Sequence, residues 1–308
     1  MTLIGPPASS DPFELANYIE AELLVSADAN ISLAEVRDTW TSGQAPAEED
    51  LEFALGEIEQ RAKAIGRLYP YSVTAGGVTL DRSPVGVIYA FLLLLSLRQT
   101  PLRTKGDYER SDPLFDAVIR EVVLAALGAG SVAVVFGWPP RGGRPAKFPK
   151  AIKWLARQIG VKRRSKEAYK ESRDAGVDVV GWRRFPDPQI AFPILLVQNT
   201  VQRNFVKKPR DVIPGDWREW LRIKANPQVG FAIPFLMRPR DPWWERAGAD
   251  MTYVWDRRRI AWQLSDARPD EWPEWPEIVR FVEDELAGLR EVARAQPVDA
   301  LDRPRKDR

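Results

Sequence analysis

Hydrophobic residues recur at helical spacing through the first hundred positions and give way to a glycine-centred hairpin pattern near residue 76. Ser32 and Glu35 have the spacing of a capping box, which marks the start of a helix. The predicted elements are a helix over 11–24, a short helix from Ser32, a helix after Pro46, a hairpin over 71–80 and an apolar helix over 83–97. This order of helices and hairpin is that of a winged helix.

The pattern changes from about residue 101, where apolar strands alternate with amphipathic helices. The predicted helices cover 114–127, 148–159, 216–223 and 276–292, and the predicted strands cover 131–138, 177–185, 192–201, 229–237 and 253–264. Such an arrangement favours an α/β fold, in which helices flank a mixed sheet. We therefore divide the chain into an acidic, mainly helical domain (1–100), an α/β domain (101–295) and a basic tail (296–308).

Composition narrows the chemistry that this chain can perform. The sequence has no cysteine and no histidine, which excludes disulfides, thiolate nucleophiles, histidine-ligated zinc and imidazole acid–base catalysis. The first ten residues do not form a signal peptide, and the apolar run over 85–97 is shorter than the roughly 20 residues of a membrane span. We expect a cytoplasmic protein without a membrane partner.

Charge is distributed unevenly along the chain. Residues 1–60 carry thirteen acids and one base, a net charge of −12, whereas 138–224 carry a net charge of +13. Such a basic stretch is either a solvated face or a surface that binds the phosphates of a nucleic acid. The candidate phosphate contacts are Arg141, Arg144, Lys147, Lys162, Arg163, Arg164 and Arg203. The acidic first domain would repel a nucleic acid, so we expect it to dock a partner protein.

Two polar residues stand at the ends of adjacent apolar strands. Asp178 begins one strand and Gln198 ends the next, so a hairpin-like pairing would bring their side chains together at one end of the sheet. Burying such groups without partners costs roughly 1–3 kcal/mol, and ligation of a hard cation would offset that cost. The alternatives are a turn aspartate and a hydrogen-bonded strand end.

At these positions the sequence resembles the PD-(D/E)xK, or restriction-endonuclease-like, nuclease superfamily. The segment DAGVDVVGW (174–182) is similar to the D-G-G-x-D-V-V-A-W pattern of one bacterial branch, and LVQNTVQRNFVKK (196–208) is similar to its G-Q-C-x-x-G-x-N-W-x-x-K pattern. The resemblance extends over about residues 106–264. It implies a restriction-endonuclease-like fold, Mg²⁺ or Mn²⁺ as cofactor, and nucleic acid as substrate, with DNA favoured over RNA.

The same resemblance assigns roles to individual residues. Asp178 matches the metal-binding aspartate, Gln198 the second ligand and Asn199 the residue whose carbonyl also ligates. Asp116 matches the acid on the helix, with Glu121 as a substitute. The lysine of the pattern is replaced by Thr200, so Lys208 or Lys207 would have to supply the catalytic ammonium.

Three functions are compatible with these observations. The first is a metal-dependent endonuclease acting in bacterial defence or restriction. The second is a catalytically degenerate nuclease fold that binds nucleic acid or assembles a defence complex, which Thr200 favours. The third is a protein-interaction module whose basic face meets an acidic partner.

Overall fold

The computed structural model describes residues 7, 10–40, 45–97, 108–163, 173–187, 189, 191–202, 205 and 211–295. The chain forms two compact units, Met1–Gly106 with Trp275–Arg308, and Asp107–Glu274. The first boundary lies close to the predicted one near residue 100. The terminal helix, in contrast, belongs to the first unit instead of the α/β unit, because its Phe281 packs edge-on against Phe91 at a ring separation of 5.4 Å.

The first unit combines helices with a small antiparallel sheet of order β1-β3-β2. Its elements are α1 (Pro12–Val25), β1 (Asn30–Ser32), α2 (Leu33–Asp38), α3 (Glu48–Ile65), β2 (Tyr71–Thr74), β3 (Gly77–Leu80), α4 (Val87–Leu97) and the terminal helix (Trp275–Ala295). The predicted capping box is confirmed, since the Glu35 N–H donates to Ser32 Oγ and the Ser32 N–H donates to Glu35 Oε2. The hairpin is confirmed too, while β1 is an element that the sequence pattern did not indicate.

Close approach of β1 explains the glycine that begins β3. A Cβ at Gly77 would lie 2.0 Å from the carbonyl oxygen of Ile31, so only glycine allows these two strands to pair. The pairing joins Ile31 to Val78 and Ser32 to Gly77.

The second unit is an α/β structure built on a five-stranded mixed sheet of order β4-β5-β6-β7-β8. Its elements are α5 (Tyr108–Leu127), β4 (Ser131–Val135), α6 (Phe148–Ile159), β5 (Val179–Arg183), β6 (Ile194–Asn199), α7 (Pro214–Trp220), β7 (Gln228–Ala232), α8 (Pro242–Asp250), β8 (Tyr253–Trp255) and α9 (Arg257–Gln263). The pairs β4–β5 and β5–β6 are antiparallel, whereas β6–β7 and β7–β8 are parallel. The central strand is therefore β6, and the α/β class with a mixed sheet is confirmed.

Helices pack on both faces of this sheet. On one face α5 lies so close to β5 that a Cβ at Gly181 would be 2.2 Å from Val123. On the other face α6 and α7 contribute Phe148, Trp217 and Trp220 to an aromatic cluster with Phe136. None of the helices in the described part of the chain is long and apolar enough to cross a membrane.

The strand predicted over 253–264 is wrong beyond its first three residues. The sheet strand ends at Trp255, and Arg257–Gln263 is the helix α9. The reason is Asp256, whose carboxylate accepts the Arg259 N–H as a helix cap and also the Met237 N–H.

Candidate active site

Asp178 immediately precedes β5 and is held by its neighbours on both sides. Its N–H donates to the Val197 carbonyl at 2.8 Å, and its own carbonyl accepts from Phe136 and Gly137 at 2.6 and 3.0 Å. A Cβ at Gly137 would lie 3.0 Å from Asp178 Oδ1, so the segment after β4 runs directly along this carboxylate. The position of Asp178 is thus fixed by backbone hydrogen bonds from two adjacent strands.

Asn199, the last residue of β6, connects Asp178 to a second carboxylate. Its backbone N–H donates to Asp178 Oδ2 at 2.8 Å, and its side-chain Nδ2 donates to Asp116 Oδ1 at 3.0 Å. The structure therefore brings together Asp116, Asp178 and Asn199, three of the four residues predicted to bind the metal. The sequence assigned only a carbonyl role to Asn199, and its amide side chain was missed.

Asp116 lies on α5 in a largely buried position, with 14% of its side chain exposed. Burial raises the pKa of Asp116 to about 7, whereas the Asn199 hydrogen bond and the Arg141 charge act to lower it. Asp112 and Asp174 are near enough to add repulsion. A carboxylate in these surroundings is stabilised by any further positive charge.

Gln198 makes a different contact from the one predicted. The Val179–Val197 pairing places it across from Asp178, but its Nε2 donates to Asp211 Oδ2 at 3.2 Å. Successive residues of a strand face opposite sides, so Asn199 faces α5 while Gln198 faces the layer of α6 and α7. The strand register thus places Gln198 opposite Asp178 at one end of the sheet, as predicted, while the hydrogen-bond partner of its side chain is Asp211, which the sequence did not indicate.

The oxygen of Gln198 is nevertheless unusual. The residue is 6% exposed, and its Oε1 has no hydrogen-bond partner among the residues that the structure describes. A buried carbonyl oxygen without a donor costs free energy until a bound water or cation satisfies it. This orphaned oxygen stands at the same strand end as the two carboxylates.

The donor atoms here fit a hard cation such as Mg²⁺, which takes oxygen ligands. Asp116 and Asp178 would supply the negative charge, and Asn199 would supply a neutral oxygen, whereas Gln198, predicted as the second ligand, lies on the other face of β6 against Asp211. Within the described residues no group of three or more histidine, cysteine, aspartate or glutamate side chains could hold a metal ion, so this strand end offers a cation two carboxylates and an amide.

The basic residues predicted to bind phosphates fall into separate groups. Arg141 Nη1 lies 3.6 Å from Asp116 Oδ2 and is 34% exposed, so it stands at the site and remains accessible. Lys147, Lys162 and Arg163 are exposed, the first of them at the start of α6. Arg164, Arg203, Lys207 and Lys208 lie outside the described residues.

Arg144 does not fit the role that the sequence gave it. It is only 4% exposed, and its guanidinium lies over the Phe136 ring at 4.3 Å from the centroid. It donates to the carbonyl oxygens of Pro145 and Arg173. A buried arginine in these contacts holds segments together and is not available to a phosphate.

Thr200 occupies the position of the superfamily lysine. It is 5% exposed, its N–H donates to the Ala232 carbonyl at 3.0 Å, and its Oγ1 accepts the Gln202 N–H. Its hydroxyl therefore stabilises the backbone at the end of β6 and does not replace an ammonium group.

Comparisons of the chain with protein-family models, with curated proteins and with solved structures found no match.

Proposed function

We propose that the second unit is a metal-dependent nuclease that hydrolyses phosphodiester bonds in nucleic acid, with Mg²⁺ or Mn²⁺ as cofactor and a restriction-endonuclease-like fold. The observation that carries the proposal is the joining of Asp116 and Asp178 through Asn199 at the end of the central strand. Carboxylates from a helix and a strand, fixed on one residue, suit the task of holding a divalent cation against a phosphate.

Each residue of the site has a distinct task in this proposal. Asp178 and Asp116 hold the cation, which when bound lowers the pKa of a coordinated water and neutralises charge on the phosphate. Asn199 keeps the two carboxylates together. Arg141, which is close to Asp116 and accessible, contacts the phosphate that is being cleaved.

A scaffold that has lost catalysis is the second candidate, favoured by Thr200 in the lysine position. The two candidates differ in metal binding, because a degenerate site should bind a divalent cation only weakly.

In either case we propose that the first unit docks a protein, because α3 exposes Glu48, Glu49 and Glu52 and so presents negative charge to any nucleic acid. We also propose the winged-helix interpretation of this unit and a role in bacterial defence.

The test is a cleavage assay of the full chain on single- and double-stranded DNA and RNA, with Mg²⁺, with Mn²⁺ and with EDTA. We expect metal-dependent cleavage that falls roughly a thousandfold in Asp178→Ala, since metal activation is worth several kcal/mol. Asp187→Ala, which removes an exposed turn carboxylate, is the matched control and should cleave as the wild type does.

Calorimetric titration with Mn²⁺ separates the two candidates. The nuclease is supported if the wild type binds Mn²⁺ and cleaves nucleic acid, and if Asp178→Ala loses both properties. Absence of Mn²⁺ binding and of cleavage, with binding of nucleic acid intact in the variant, would contradict the nuclease and support the scaffold.

A further inference from the structure

Among the described tryptophans, Trp138 and Trp262 are the two with large exposed rings, 43% and 58%. Most of the other tryptophans pack in the core, as Trp217 and Trp220 do. A large aromatic ring kept in water forgoes burial that would stabilise the protein. Single exposed rings are common, so what matters is which groups border each of them.

Trp138 stands beside the site through the backbone that carries it. It follows Gly137, whose N–H donates to the Asp178 carbonyl and at which an added Cβ would lie 3.0 Å from Asp178 Oδ1. Three residues later the same segment presents Arg141 to Asp116. The ring is therefore carried on the segment that runs between both candidate metal-binding carboxylates.

A second arginine borders the ring. The Arg173 guanidinium lies 5.7 Å from the centroid of Trp138, and Arg173 itself is exposed. The buried Arg144 fixes this arrangement, because it packs over Phe136 and donates to the Arg173 carbonyl. Buried Arg144 thus connects Arg173 to the segment that carries Phe136 and Trp138.

We infer that Trp138 is a stacking platform for an unpaired nucleobase next to the phosphate that is cleaved, with Arg173 and Arg141 contacting the flanking phosphates. The inference rests on the nuclease proposed above and specifies its substrate as single-stranded nucleic acid or an unpaired end. Every base has a face that stacks on an indole ring, and guanidinium groups contact the backbone beside it. In an intact duplex the bases stack on each other, so reaching Trp138 would require unstacking one of them.

The test compares the binding of a short fluorescein-labelled single-stranded DNA with that of the same sequence as a blunt duplex, by anisotropy in EDTA. We expect Trp138→Ala to weaken single-strand binding about tenfold, because the variant loses the stacking of one base on an aromatic ring. Trp138→Phe keeps a ring and should stay within about threefold of the wild type. Duplex binding should not change in either variant.

Trp262→Ala is the matched control, because it removes an even more exposed indole from α9, outside the strand ends that form the site. It should bind both DNAs as the wild type does, and thermal unfolding should show that all three variants fold. Unchanged single-strand binding in Trp138→Ala, or equal losses for single strand and duplex, would overturn the inference. A single-stranded RNA of the same sequence shows whether the platform distinguishes the sugar.

Cleavage assays keep the two proposals apart. If the wild type cleaves DNA with Mg²⁺, and Trp138→Ala cleaves single-stranded DNA as fast as the wild type does, the nuclease stands and the platform is wrong. If no protein cleaves but single-strand binding still requires Trp138, the platform stands and the nuclease is wrong.

Discussion

Each unit of this protein contains a buried carboxylate, and the two differ in how completely they are satisfied. In the first unit Glu20 accepts from Arg61 at 2.8 Å and from the hydroxyls of Tyr69 and Tyr89 at 2.6 and 2.8 Å. Both Glu20 and Arg61 are fully buried. Every charge in this cluster has an internal partner, which is what a purely structural role requires.

The second unit leaves comparable groups unfinished. Asp116 has an amide donor and an arginine 3.6 Å away, and the pKa of its carboxyl is raised. Gln198 Oε1 has no donor within the described part of the chain. The two clusters therefore differ in how far their polar groups are satisfied by the fold itself, and this difference is what the nuclease proposal would explain.

The largest effect that this comparison predicts is on stability in the first unit. Arg61→Met should leave Glu20 buried without its cation and lower the free energy of unfolding by about 3–5 kcal/mol. Urea denaturation measures the loss, and Lys63→Met, an exposed change on the same helix, should have little effect. Replacing both charges, in Glu20→Leu with Arg61→Met, should recover much of the loss. A loss below about 1 kcal/mol in Arg61→Met would contradict the view that the Glu20 cluster has a structural role.

The next effect is on metal binding in the second unit. Asn199→Ala should weaken Mn²⁺ binding roughly 10- to 100-fold, as expected for a residue that orients ligands. Its control is Gln202→Ala, an exposed amide just beyond the same strand. Calorimetry measures both affinities. Asn199 would have no positioning role if its loss left the affinity unchanged while Asp178→Ala abolished it.

The smallest effect is a pH dependence of stability that comes from Asp116. Its pKa is raised from 3.8 in the unfolded chain to about 7 in the fold, so the folded state binds the extra proton between these values. Stability from this group is complete below about pH 4, declines as the pH rises through the folded-state pKa near 7, and then stays at its lower level.

Between about pH 6 and pH 8 the wild type should lose roughly 1 kcal/mol relative to Asp116→Asn. Mg²⁺ should reduce this difference, because a bound cation stabilises the charged form. Urea denaturation at a series of pH values, with and without Mg²⁺, provides the measurement. If the free energy of unfolding depends on pH identically in the two proteins, burial of Asp116 does not affect the stability of the fold.

The sequence predicted those features that depend on local pattern. Apolar runs located the central strands, and polar residues at their ends pointed to Asp178 and to the end of β6. The alternation of residues along a strand then decided which amide would meet which carboxylate. Sequence alone did not resolve this, because Gln198 and Asn199 are adjacent and a shift of one residue exchanges their faces.

Other features depend on contacts between distant segments. Asp211 reaches Gln198 from outside the sheet, and Arg144 is buried because Phe136 and the Arg173 carbonyl surround it. From the sequence, Arg144 is expected to be exposed like the other basic residues of its stretch, because arginine is rarely buried without partners. The helix α9 was missed because the aspartate that caps it follows a strand without any turn signal.

The hydrogen bonds around Asp178 also make the site readable by spectroscopy. The Gly137 amide donates to the carbonyl of Asp178, and the Asn199 amide donates to its carboxylate. In a ¹⁵N-labelled protein the Asn199 amide resonance should therefore shift if Mg²⁺ binds to the carboxylate. The Gly137 amide, bonded to the carbonyl of the same residue, reports whether the backbone of Asp178 moves as well.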